Sequence, residues 1–277
     1  MQVTGLEVIS HPAAGPTTGP PIVLVHGAWH AAWCWDEGFA ARLAARGHDV
    51  HAVSLRGHGA SEGRRGLWRT RVRDHVTDLR RVIDAIGSPT LLVGHSRGAY
   101  VVQKHLEMGD AAGAVLLAPM PHFGVGPCMG RLLKRMPGKV ARIHATFGTL
   151  PIASDPASTR ELFFSLGLPE ETVRRHHARL QGEAFLGYLD LLGLDPCRPE
   201  RGAVPMLVMG AGADALFTTQ EVESVAAAHG ADLEFVPGMA HDMMLEPGWQ
   251  AVADRIAAWV QTIGTGRRDG SGRNAAN

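Results

Sequence analysis

Short, unbroken apolar runs alternate along this chain with longer segments in which apolar positions recur every three or four residues. Ile22-Val23-Leu24-Val25 lies between Pro21 and Gly27, and residues 50–55 are followed by Gly57. Residues 90–93 lead into Gly94, 114–118 stop at Pro119, 206–209 stop at Gly210, and 233–236 stop at Pro237-Gly238. Runs this short, closed by turn residues, read as buried strands. Their continuous rather than alternating hydrophobicity suits a parallel sheet covered on both faces. Between them, Val72, Val76, Leu79, Val82, Ile83 and Ile86 keep a helical period, with Arg73, Asp74, Asp78, Arg80 and Arg81 on the opposite face. Trp249, Val252, Ile256, Trp259, Val260 and Ile263 repeat the pattern near the end. Strands alternating with helices predict an α/β fold with right-handed crossovers.

The rhythm stops between Pro119 and Gly202, where no β-run appears and Leu, Phe, Arg and His mix with Pro and Gly. This predicts a core made of residues 1–118 and 203–263, interrupted by a helical cap over 119–202. Residues 264–277, rich in Gly, Arg and Asn without apolar period, are expected to be a disordered tail. No internal repeat is evident.

Composition narrows the function. Lys+Arg and Asp+Glu number 27 each among 277 residues, so the chain lacks the basic excess that nucleic-acid binding requires. The three cysteines, Cys34, Cys128 and Cys197, are odd in number and far apart, and imply neither a disulfide framework nor a thiolate metal site. No apolar stretch approaches membrane-spanning length, and residues 1–21 lack the features of a secretory signal. The expectation is a soluble cytoplasmic protein with no stable membrane insertion.

The most informative string is Leu91-Leu92-Val93-Gly94-His95-Ser96-Arg97-Gly98-Ala99. It contains GxSxG between a predicted strand and a predicted helix. Such a turn holds the serine in strained backbone with Oγ projecting from the sheet, and small residues on either side let strand and helix approach. Ser96 is therefore the candidate nucleophile. The elbow also aims the Arg97 N–H at the place where an oxyanion would form. A second donor belongs to the loop after an earlier strand, where Val25-His26-Gly27-Ala28-Trp29 offers the Ala28 N–H, with that of Trp29 as runner-up. His26 itself reads as a strand-end histidine bonded to loop backbone.

Ser96 needs a base, and the chain has 15 histidines. Sheet proteins of this kind place chemistry at the carboxyl ends of strands. His241, in Pro237-Gly238-Met239-Ala240-His241-Asp242, follows the last predicted strand and is the candidate base. Asp214, in the loop after residues 206–209, is the candidate for orienting the imidazole, against a purely local role in an Asx turn or helix cap. Asp242 is the weaker alternative, because its side chain would have to fold back on its neighbour.

On these residues the chain resembles the α/β-hydrolase fold superfamily, and looks most like bacterial lysophospholipase-like and carboxylesterase-like serine hydrolases. The carrying segments are His26-Gly27-Ala28-Trp29, Leu55-Arg56-Gly57-His58-Gly59-Ala60-Ser61, Gly94-His95-Ser96-Arg97-Gly98, Asp214, and Gly238-Met239-Ala240-His241-Asp242-Met243-Met244-Leu245-Glu246. The opening loop at His26 also resembles that of plant methylesterases and hydroxynitrile lyases. The resemblance implies an α/β-hydrolase fold, ester hydrolysis through an acyl-enzyme on Ser96, no cofactor and no metal. Its alternative is a hydroxynitrile-lyase-like or other non-hydrolytic chemistry, which the same three residues would also serve; a non-catalytic binding protein on the same scaffold is disfavoured, because such proteins often lose a triad member and this chain keeps all three. Arg97 departs from the usual apolar or Gln residue after the nucleophile, and its side chain is expected to crowd or charge the pocket rim.

Trp29, Trp33 and Trp35 suit packing of a helix on the sheet; of the three, Trp29, adjoining Ala28, is the substrate-pocket candidate. Phe163, Phe164, Leu166, Phe185 and Leu189 suggest an apolar underside to the cap, which favours a small-molecule ester with an apolar acyl or ring portion; packing of the cap on itself explains them equally well. Arg174, Arg175, His176, His177 and Arg179 read as a solvated cap face.

Overall fold

A computed structural model describes residues 1–199 and 204–266 of the chain, with the side chains of 264–266 outside the description. Seven strands form one sheet: β1 (Glu7–His11), β2 (Ile22–Val25), β3 (Val50–Ser54), β4 (Leu91–His95), β5 (Gly113–Leu117), β6 (Met206–Ala211) and β7 (Asp232–Val236). Their order is β1-β3-β2-β4-β5-β6-β7. All pairs are parallel except β1 with β3. Every residue of β2, β4, β5 and β6 is buried, and since side chains alternate between faces, both faces of the sheet are covered.

The strands expected from the apolar runs are all present, and β1 is an addition to them. It holds only two strongly apolar residues, Val8 and Ile9, and every position in it is half-buried. An antiparallel edge strand of this kind is recruited by pairing, with Glu7 opposite Ser54, and not by a buried apolar run.

The helices in the first half are α1 (Trp33–Asp36), α2 (Phe39–Ala44), α3 (Val72–Ile86) and α4 (Arg97–Leu106). α3 closes on Gly87 in the left-handed region, where its N–H reaches back to the Ile83 carbonyl. Between β5 and β6 the regular elements among the described residues are all helical: α5 (Gly126–Arg135), α6 (Pro137–Thr146), α7 (Pro156–Phe163), α8 (Glu170–His177) and α9 (Phe185–Leu189), with short irregular helical turns. Prolines stand in the first turns of α5, α6 and α7, where a missing N–H costs nothing. α10 (Thr219–His229) starts on a capping box between Thr218 and Glu221. α11 (Trp249–Gly266) runs beyond the expected end at Ile263, so the expected tail begins in helix. Residues 267–277 lie outside the description, as does the expected cap boundary at 202–203. No helix among the described residues is long and apolar enough to cross a membrane.

The register sets the position of the site. Val25 pairs with Gly94, Gly94 with Leu116, Leu117 with Met209 and Ala211 with Val236. The carboxyl ends of the parallel strands are therefore level. The loops that leave them carry Ala28, Ser96, Asp214 and His241 to one edge of the sheet.

Candidate active site

Ser96 sits between the last residue of β4 and the first of α4 with φ 51° and ψ −115°, a conformation that non-glycine residues rarely hold. Three backbone hydrogen bonds fix it: its N–H donates to Leu117, and its carbonyl accepts from Tyr100 and Met120. The sharp turn requires the two flanking glycines. A Cβ on Gly98 would lie 2.2 Å from the Val25 carbonyl oxygen, and one on Gly94 would lie 2.6 Å from the Ala99 Cα.

His241 Nδ1 lies 2.8 Å from Asp214 Oδ2, with both side chains buried. A carboxylate only accepts, so Nδ1 carries the proton and Nε2 of the neutral ring keeps its lone pair. Asp214 Oδ1 meanwhile accepts from the N–H groups of Leu216 and Phe217. The local turn role and the orienting role, alternatives at the level of sequence, are filled by the two oxygens of one carboxylate. Burial pushes the His241 pKa down, but the charge and hydrogen bond of Asp214, aided by Asp242, more than offset this and leave it raised.

The loop bearing His241 is docked on the residue before Ser96: His95 Nε2 donates to the His241 carbonyl at 2.9 Å, and the two rings lie 4.9 Å apart. Phe217 packs on the His241 ring at 5.5 Å and lines the same pocket as Ser96. Ser96 Oγ makes no hydrogen bond to His241 among the described residues; such contacts commonly tighten only when substrate binds.

The Ala28 loop is held from several sides. The His26 Nδ1–H donates to the Gly27 carbonyl at 2.8 Å, while its Nε2 accepts the Leu55 N–H at 3.1 Å, so His26 is a neutral imidazole with both nitrogens occupied. Burial accordingly holds its pKa well below the usual value. Because the peptide is trans, fixing the Gly27 carbonyl turns the Ala28 N–H the opposite way. The next peptide is fixed too: the Ala28 carbonyl accepts from His30 Nδ1 at 2.7 Å, and the Trp29 N–H donates to Glu183 Oε1 at 2.9 Å. The runner-up oxyanion donor, Trp29, thus has its N–H engaged by the helical insertion. Ala28 and Arg97 remain as the candidate pair, and the Arg97 N–H, in the first turn of α4, has no intrahelical acceptor.

A pocket with about 680 Å³ of empty space, mouth included, is lined by Ala28, Trp29, Ser96 and Arg97 from the sheet side. The insertion supplies Val125, Met129, Leu132, Ile152 and Tyr188 to its walls, and Leu216 and Phe217 complete it. Trp29 is therefore at the pocket, with its Nε1–H on Thr149 Oγ1 at 3.0 Å, whereas Trp33 and Trp35 are buried in the core.

Arg97 corrects an expectation. Its side chain is not at the rim: it is 3% exposed, with Nη1 2.9 Å from His75 Nδ1 and Nη2 3.2 Å from Glu183 Oε1. The two readings of the cap residues are also separated, in favour of packing within the fold. Phe163, Phe164 and Phe185 are buried, but Leu166, in the turn between α7 and α8, is 92% exposed, and none of the five expected residues lines the pocket. On the expected solvated face, Arg174, Arg175 and Arg179 are exposed, but His176 is buried and stacks on Trp33 at 5.8 Å.

Sequence reasoning missed Glu183. It is a buried acid whose Oε1 also accepts from His58 Nε2 at 2.9 Å. Burial would raise its pKa, but Arg97 and then His58 reverse this and hold it well below the carboxylate range. Only its place beside buried Arg97 marks it, and the sequence does not carry that information.

The chain belongs to the alpha/beta hydrolase family, whose model matches residues 22–255. It is 27% identical over 265 residues to a protein of Mycolicibacterium smegmatis named monoacylglycerol lipase, a match covering 88% of this chain and 90% of that one. It is 30% identical over 182 residues to methyl jasmonate esterase 1 of Vitis vinifera, covering 59% of this chain and 69% of the relative. Among solved structures, the monoacylglycerol lipase of Paleococcus ferrophilus matches with TM-score 0.66 at 19% identity over 93% of this chain and 99% of that chain. An esterase of Exiguobacterium antarcticum matches with TM-score 0.72 at 17% identity over 92% of this chain and 95% of that chain. At such identities the two structures bear on the fold alone.

Proposed function

We propose that this chain is a serine hydrolase of carboxylic esters in which Ser96 is the nucleophile, His241 the base and Asp214 the group that orients it. The observation that carries the reading is the 2.8 Å Asp214–His241 hydrogen bond, which leaves Nε2 unprotonated next to a pocket walled by Ser96. His241 takes the Ser96 proton as Oγ attacks the ester carbonyl. The tetrahedral oxyanion is met by the N–H groups of Ala28 and Arg97, each worth about 3–4 kcal/mol of barrier in comparable sites. Collapse expels the alcohol, protonated by His241, and leaves an acyl-enzyme that water hydrolyses by the same steps.

The walls favour an apolar acyl portion. The charged groups at the pocket cancel, since Arg97 is paired with Glu183. An uncharged ester, such as an acylglycerol, therefore suits it better than a phosphate-bearing lysophospholipid. The relative named monoacylglycerol lipase, matched over most of its length, supports the same choice.

The test is hydrolysis of a p-nitrophenyl ester series from acetyl to dodecanoyl, with a monoacylglycerol and a lysophospholipid alongside. Expected are turnover rising with apolar chain length, preference for the monoacylglycerol, and a loss of about a thousandfold or more in Ser96→Ala. No hydrolysis of any ester by the folded protein contradicts the reading.

A further inference from the structure

A second imidazole–carboxylate pair lies beside His241. Asp242 is fully buried, and neither of its oxygens has a well-aligned hydrogen-bond donor among the described residues. A buried carboxylate in that state needs a nearby cation. Among the described residues two imidazoles stand within ion-pair range: His30, with Nε2 3.0 Å from Oδ2, and His95, with Nε2 3.7 Å from Oδ1. His95 is excluded as the cation, since burial first and the neighbouring His241 second hold its pKa at about 3. Its Nε2–H is already directed at the His241 carbonyl.

His30 remains. Its Nδ1 must carry a proton, because the Ala28 carbonyl 2.7 Å away can only accept. A neutral ring would then present a bare Nε2 lone pair to a carboxylate oxygen at 3.0 Å, setting two acceptors against each other. Only the imidazolium satisfies both neighbours.

We propose that His30 is a positioning residue, held as an imidazolium, that ties the loop offering the Ala28 N–H to the loop carrying His241 through the Asp242 carboxylate. One protonated ring thereby sets the spacing between oxyanion donor and base. The inference rests on the assignment of Ser96 and His241 given above. The other groups facing His30 are the rings of Trp33 at 5.3 Å, Phe163 at 5.9 Å and His95 at 6.4 Å, with His241 and His176 as further titratable neighbours. Burial lowers the His30 pKa, but the charge and contact of Asp242, then the Ala28 carbonyl, more than offset this and leave it raised. His30 therefore discharges at a higher pH than an unperturbed imidazole does. Above that point the tie between the loops is lost and kcat falls.

The experiment has two arms. Ring-nitrogen NMR of the wild-type protein, with His30 assigned from the signals missing in His30→Gln, is expected to show both His30 nitrogens protonated at neutral pH. In ester hydrolysis, His30→Gln and Asp242→Asn are each expected to lower kcat about ten- to a hundredfold with KM little changed, and to remove the alkaline limb of the kcat profile. In the double variant the two losses should not multiply. A neutral His30 ring at neutral pH overturns the proposal without recourse to any variant's stability. So does a folded His30→Gln with wild-type kcat and alkaline limb. Retained hydrolysis in Ser96→Ala would instead sink the functional assignment, an outcome separable from the charge on His30.

Discussion

In the proposed mechanism His241 acts as base only in one tautomer and one charge state, and a single carboxylate bears on both. Asp214 fixes the proton on Nδ1 and raises the pKa against the opposing effect of burial. The sign of the pH dependence follows: the base must be neutral, its pKa lies above the usual 6.5, and activity therefore falls as pH drops through a value above 6.5. In the kcat/KM profile the acid limb should be centred above 6.5, and Asp214→Asn should move it down while lowering the rate by about 10⁴. A limb that stays in place after that substitution would mean that Asp214 does not act on the base. As candidates, Ser96, Asp214 and His241 could be picked from the sequence because each follows a strand end in a string whose residue types leave few other uses, and the Asp214–His241 contact is the part of that choice the structure shows. Glu183, His30 and Asp242 could not, because their roles depend on partners far away in the chain: Glu183 on Arg97 and His58, and His30 and Asp242 on each other.

At the scale of elements, the elbow between β4 and α4 decides whether Ser96 can be presented at all. Its positive φ is maintained because α4 starts hard against the end of β2, and Gly98 is the point of contact. Two effects compete in Gly98→Ala. Alanine favours a helix over glycine by about 1 kcal/mol. The new Cβ, however, would meet the Val25 and His26 carbonyl oxygens at 2.2 and 2.6 Å, and backbone in the sheet cannot yield as a flexible side chain does. The clash should win, with a net loss of about 1–3 kcal/mol read as a lower midpoint in urea unfolding. A midpoint equal to or above wild type would mean that the helix and strand are less tightly apposed than described. The central strands declare themselves by continuous apolar runs, whereas β1 and the burial of the insertion do not. β1 gains its place from pairing with β3, and Leu166 is exposed because it lies in a turn rather than on a helix face.

For the whole molecule, the helical insertion and the sheet core form the site jointly. The insertion is hydrogen-bonded to the Ala28 loop through Gln181 N–H to the Trp29 carbonyl and Trp29 N–H to Glu183, and to the His241 loop through Asp242 N–H to the Phe163 carbonyl and Ser165 N–H to Glu246. The histidine-rich composition resolves in the same way. His26, His75 and His95 are buried with their pKa values pushed down by desolvation, His26 accepting the Leu55 N–H, His95 donating to the His241 carbonyl and His75 accepting from Arg97. His241 and His30 instead have raised values beside carboxylates. The balanced charge accords with a hydrolase of small-molecule esters and not with a nucleic-acid-binding protein. The most direct measurement is covalent: the folded protein is treated with a fluorophosphonate and the adduct located by mass spectrometry. One label per chain, on Ser96, forming far more slowly in His241→Ala, is the expected result; an unlabelled protein, or an adduct elsewhere with Ser96 untouched, would contradict the assignment of Ser96 as nucleophile.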